Sequence, residues 1–232
     1  MSEQDVQDAR VGRTNVLFAI LALGSVCGLL EVFFGGLLRQ VGFAYRSGLL
    51  TGLGFGVIAF GLAIFKKPSM AIWIGLLTVL CKQLVVPILH VSVMCKFNSC
   101  AAVLLEYCAL SGFTAIAMSK IRENTGMRLL IGGAAAFVSS IAFYFIGMRL
   151  APCPYLLSFN GLGGFGAFLA KESLNWAAFS AVLFPLGWLA GEKFADRISV
   201  LLIRRPRYFY AGAASTTIFC WVACAIAIAQ GF

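Results

Sequence analysis

Long apolar stretches separated by short polar ones organise the whole chain. Seven runs stand out: Val16–Leu38, Ser47–Phe65, Met70–Met94, Ser99–Met118, Leu129–Met148, Leu174–Gly191 and Tyr208–Ala229. A bilayer core about 30 Å thick is crossed by ~20 helical residues, so each run predicts a transmembrane helix. The first run is too long for a signal peptide and lacks a small-residue cleavage site, so it reads as a retained helix. The stretch between Arg149 and Glu172 is different. It is apolar from Ala151 to Ala170, yet Pro152, Pro154, Asn160, Gly161, Gly163, Gly164 and Gly166 argue against a regular helix over its first half. The sixth helix therefore starts either near Gly164 or near Leu174, and the earlier start places Lys171 and Glu172 inside it.

Composition agrees with this pattern. Hydrophobic residues make up 61% of the 232 and charged ones 12%, with a mean hydropathy of +0.93. A soluble domain carries about 25% charged residues, so this chain has too few to cover a core. The expected fold is an all-α integral membrane protein, a bundle of six to seven transmembrane helices forming one domain over 1–232. Within it we expect a cytoplasmic N-terminal segment (1–15), a basic cytoplasmic segment (192–207) and an additional C-terminal transmembrane helix (208–229).

The net charge of +9 reads as topology and not as a nucleic-acid surface, because the basic residues cluster between the apolar runs. With the N-terminus inside, the inner segments hold Arg10, Arg13, Lys66, Lys67, Lys120, Arg122, Arg128, Lys193, Arg197, Arg204, Arg205 and Arg207. The outer ones hold Arg39, Arg46, Lys96, Arg149 and Lys171. That asymmetry predicts a cytoplasmic N-terminus in the cell (inner) membrane.

Charge within a span is costly, about 2.5–3.5 kcal/mol at the bilayer centre on insertion scales, and marks paired or functional positions. Glu31, Lys82 and Glu106 interrupt otherwise apolar runs. Counting ~1.5 Å per residue from the helix ends, all three fall in the outer half, with His90 nearer the surface. Glu172 joins them if the sixth helix starts early, and Trp73 and Trp176 are candidates to lie beside this layer. Two readings stay open: a ligand pocket, or a structural ion pair or triad clamping the helices. As a pocket, the layer suits a zwitterionic or cationic heterocycle, or a metal ion.

Small residues recur four apart as Gly48, Gly52 and Gly56 and as Gly24 and Gly28, a spacing that allows close helix contact within the bundle or with another membrane subunit. The eight cysteines form no C-x-x-C pair and mostly lie in apolar runs as small hydrophobes. The stretch Gly161–Gly166 matches G-x-G-x-x-G, but no strand precedes it, so a dinucleotide site is excluded. One histidine cannot supply bis-histidine haem ligation, and no H-E-x-x-H, Walker A or G-x-S-x-G motif occurs. Neither an enzyme nor a cofactor is indicated.

The segments GLLEVFFGGLL (Gly28 to Leu38), FAYRSGLLTGLGFGVIAFGLAI (Phe43 to Ile64), KKPSMAIWIGLLTVLCKQL (Lys66 to Leu84) and NSCAAVLLEYCAL (Asn98 to Leu110) together resemble the substrate-binding S components of energy-coupling factor (ECF) transporters. The resemblance implies a bundle that binds a small solute in its outer half, beneath a lid formed here by Arg39 to Arg46. It further implies that Gly24 and Gly28 dock on a membrane coupling protein driven by two cytoplasmic ABC ATPases. The seventh run has no counterpart in that six-helix pattern. The expected function is thus the substrate-capture subunit of an importer for a micronutrient, a vitamin-like molecule or a metal, with Glu31, Lys82, His90, Glu106, Glu172 and Trp176 as binding residues. The alternative is a non-catalytic structural or anchoring membrane subunit of a larger complex.

Overall fold

The structure, a computed structural model, describes residues 12–232; most of the expected segment 1–15 lies outside the described residues. Among these, only helices and turns occur. Seven helices are long and apolar enough to cross a membrane: α1 (Arg13–Gln40), α2 (Arg46–Phe65), α3 (Met70–Leu89), α4 (Phe97–Glu123), α5 (Thr125–Leu150), α6 (Gly164–Arg204) and α7 (Pro206–Ala229). The chain is a multi-pass helical membrane protein. Its helices alternate in direction, so Arg39, Arg46 and Lys96 gather at one end of the bundle, while Lys66, Arg122 and Arg128 gather at the other.

Helix α2 carries no charge after Arg46 and is the most enclosed of the seven. Its small residues explain how. A side-chain carbon at Gly48 would lie 2.9 Å from the Asn175 backbone, and one at Gly52 would lie 2.8 Å from Leu183, both on α6. From the other side, Gly187 and Gly191 of α6 sit directly on the backbone of Gly56 and Phe60. The two helices run together at backbone contact, where dispersion replaces the missing hydrophobic drive between helices in lipid.

The same logic relocates Gly24 and Gly28. A side-chain carbon at Gly24 would approach Leu77 to 2.7 Å, and one at Gly28 would meet Cys81. Both glycines are buried, and the face expected to dock on a partner is filled by α3. Small-residue spacing encodes close approach, not the identity of the neighbour.

Helix boundaries depart from the hydropathy runs where the backbone is interrupted. The third run was expected to reach Met94, but α3 ends at Leu89 and His90 adopts a left-handed conformation with φ 51°. Pro87 lacks an N–H for the carbonyl of Gln83, and the helix is irregular at Leu84. Helix α6 takes the early start at Gly164, behind Gly163 at φ 78°. A side chain at Gly164 would run into the Phe159 carbonyl, so the turn requires glycine there. The segment 192–207 is not a separate loop: α6 continues through it to Arg204, and α7 begins at Pro206.

Two polar contacts fix the frame. At the Lys66 end, the buried Arg128 donates to both Glu192 oxygens at 2.8 and 3.2 Å and to the carbonyls of Ile121 and Arg122 at 2.8 and 2.9 Å. Trp188 Nε1 donates to the same carboxylate at 2.7 Å, so α4, α5 and α6 are tied together and two C-terminal carbonyls of α4 are satisfied. Helix α7 lies on α1, with Trp221 Nε1 donating to Ser25 Oγ at 3.0 Å and the Tyr210 hydroxyl donating to Asn15 Oδ1 at 2.7 Å.

Candidate functional site

Six helices converge on a cavity of about 260 Å³ in the half of the bundle nearest Arg39. Glu31 and Val32 come from α1, Ser47, Leu50 and Thr51 from α2, Lys82 from α3, Val103 and Glu106 from α4, and Trp176 from α6. Ile228 of α7 and Phe232 complete one wall. This is room for several waters or one small organic molecule.

The charged residues divide into two groups by depth. Lys82 Nζ donates to Glu31 Oε2 at 2.5 Å, with side-chain exposures of 7% and 11%, so this pair neutralises itself within the wall. Glu106 is not part of it. Its Oε1 accepts from Thr51 Oγ1 at 3.1 Å, while Oε2 is buried with no hydrogen-bond partner among the described residues. Trp176 Nε1 is likewise buried and unpartnered, its ring stacked on Phe143 at 6.0 Å. An unsatisfied buried polar group costs about 1–3 kcal/mol, and two residues of the lining each carry one such atom, Glu106 Oε2 and Trp176 Nε1.

The second group was not anticipated as binding residues. Arg39, Arg46 and Lys96 also line the cavity, and none has a carboxylate partner among the described residues. Arg39 follows Glu31 by eight residues and Lys96 precedes Glu106 by ten, which separates the two layers by about 12–15 Å along the helices. The cations sit at the mouth and Glu106 at depth. Their positions at helix ends carried the topology signal, which concealed their second role.

Local helix geometry also marks this region. Glu31 lies in a π turn, Leu30–Phe34, and Glu172 lies in another, Leu169–Ser173. Each inserts an extra residue and rotates the following side chains, a deformation found frequently at functional sites. No feature of the sequence marked either turn.

The remaining expected residues are placed differently. Glu172 is buried and accepts from Ser47 Oγ at 2.7 Å; it stands behind the wall residue Ser47 and does not line the cavity itself. Beside it, between α5 and α6, partial burial and then the Glu172 carboxylate push the Tyr155 phenol above its ordinary value, so it stays a proton donor. His90 is exposed at the end of α3 and is not among the lining residues. Trp73 is exposed in the first turn of α3, at the opposite end of the bundle. Lys171 is exposed beside the buried Glu172. Among the described residues, no group of three or more His, Cys, Asp or Glu side chains gathers to hold a metal ion.

No family model, curated protein or solved structure matches this chain.

Proposed function

We propose that the chain is the membrane-embedded capture subunit of an importer, taking up a small organic solute in the Glu106 cavity from the outer side of a cell membrane. The observation that carries this reading is the cavity itself: mostly apolar walls, convergent charges and two orphaned hydrogen-bonding atoms, Glu106 Oε2 and Trp176 Nε1. A ligand held there would offer Glu106 and Trp176 the partners that the protein itself does not.

The positive-inside asymmetry orients the Arg39 end outward, so the cavity faces the outer side of the membrane on this reading. Nothing in the site suggests bond-making chemistry, so the chain's own contribution is binding and exposure, with energy supplied by partners such as a membrane coupling protein and two ABC ATPases. The glycine face of α1 is occupied by α3, so partner docking falls to other surfaces.

One observation favours the second reading, an anchoring subunit of a larger complex: the Lys82–Glu31 pair links α1 to α3 as a clamp would. Ligand-dependent stability separates the two. Purified protein in nanodiscs is heated with and without fractions of yeast extract, alongside Glu106→Gln. A capture subunit gains ~2.7 kcal/mol at a hundredfold excess over Kd, and the gain shrinks in the variant. A clamp gains nothing in either protein.

A further inference from the structure

The charges lining the cavity are not balanced. Four cationic side chains, Arg39, Arg46, Lys82 and Lys96, face two carboxylates, Glu31 and Glu106. Lys82 is consumed by Glu31 at 2.5 Å, which leaves at the mouth three cations with no carboxylate partner among the described residues, and at depth the carboxyl group of Glu106. Between them the lining is mostly apolar, with Val32, Leu50, Val103 and Ile228 beside the hydroxyls of Ser47, Thr51 and Ser99. The arrangement is therefore directional: a positive rim, a mostly apolar middle, and a floor holding an orphaned carboxylate oxygen.

Resting on the capture reading above, we propose that the solute is a small organic anion with a hydrogen-bond donor at its far end. Its carboxylate, sulfonate or phosphate sits among Arg39, Arg46 and Lys96, and its amine or amide N–H donates to Glu106 Oε2. The donor requirement follows from Glu106 Oε2, which has no partner among the described residues; Oε1 shares the Thr51 hydroxyl, 3.1 Å away, with the Ser47 carbonyl at 2.9 Å. A guanidinium fork binds planar oxyanions through two parallel bonds, which explains two arginines where lysine alone would keep the charge. A purely cationic solute would meet three like charges before reaching its only carboxylate. A bare metal ion would meet the same barrier and find too few ligands.

Three probes of matched length test this: 6-aminohexanoate, hexanoate and hexylamine, each added at high millimolar concentration to the full-length protein in neutral-lipid nanodiscs. The readout is the shift in unfolding temperature. We expect 6-aminohexanoate to stabilise most, hexanoate less, and hexylamine not at all. Arg39→Gln with Arg46→Gln should weaken the apparent affinity for both acids about tenfold or more. Glu106→Gln should remove the advantage of the aminated probe over hexanoate. A second measurement guards against misfolding: each variant must keep its own cooperative unfolding transition without probe. Stabilisation by hexylamine that depends on Glu106 would overturn the anion assignment while keeping the cavity as a binding site. No shift with any probe, unchanged across the variants, would overturn both the assignment and the capture reading.

Discussion

Replacing Lys82 by methionine removes the one positive charge in contact with Glu31, and the structure sets the size of the result. Both side chains are close to fully enclosed, 7% and 11% exposed, and meet at 2.5 Å. Breaking a buried pair by removing one partner costs about 3–5 kcal/mol, because the other charge is left without compensation. Glu31 lines the cavity, and water there can solvate part of the freed carboxylate, which places the expected loss near the lower end, about 3 kcal/mol. Methionine matches the length of the lysine stem, so lost packing adds little. Adding Glu31→Gln to Lys82→Met removes the stranded charge, and the double variant should recover at least half of the loss. The assay is reversible unfolding of the purified protein in detergent or nanodiscs for wild type, both single variants and the double variant, read as a thermodynamic cycle. Strictly additive losses would show that the two residues are not coupled, and the separation of the cavity charges into a neutralised pair and a free Glu106 would fall with them.

Other outcomes follow from the packing. Gly52→Leu forces a side chain into Leu183 and the Phe179 backbone and should cost about 1–3 kcal/mol as overpacking, measured by thermal unfolding. Gly24→Leu should behave the same way against Leu77; a variant of unchanged stability would mean that α3 does not fill that face. Arg128→Met should lower stability by about 1–3 kcal/mol, from lost hydrogen bonds to the Ile121 and Arg122 carbonyls, and hydrogen exchange should rise first at the α4–α5 junction. In intact cells, an impermeant maleimide should label Ala44→Cys and reach Ser69→Cys only after permeabilisation; both positions are exposed, and the reverse pattern would invert the orientation.

The seven spans were legible because the bilayer imposes length and hydropathy on each helix, and Glu31, Lys82 and Glu106 were legible as members of one layer because each lies at a calculable depth; Trp176, like Trp73, was only a candidate to lie beside it. What depth could not give was the partner. Glu31 and Lys82 pair, whereas Glu106 turns to Thr51, a choice set by helix rotation and by the π turn at Leu30–Phe34. Arg39 and Arg46 were visible as topology charges and as the ends of the expected lid, and Lys96 only as a topology charge, since a basic residue at a helix end has the same appearance whether it faces water or a cavity. His90 was misplaced because α3 was counted as unbroken past Pro87, and Trp73 because its depth along α3 was not counted. The glycine spacing of α1 and α2 announced close contacts, but their neighbours, α3 and α6, emerge only from the three-dimensional packing.

The central claim is that the cavity around Glu106 holds a solute, and native mass spectrometry of the intact protein tests it most directly. Protein expressed in rich medium, purified in mild detergent and released from the micelle in the gas phase should carry a single small-molecule adduct, sized for a cavity of about 260 Å³. The adduct should be lost or strongly reduced in Glu106→Gln and in Arg39→Gln/Arg46→Gln, with each variant still folded. Wild-type protein without any adduct after exposure to rich medium, or an adduct unaffected by all three substitutions, would contradict the account.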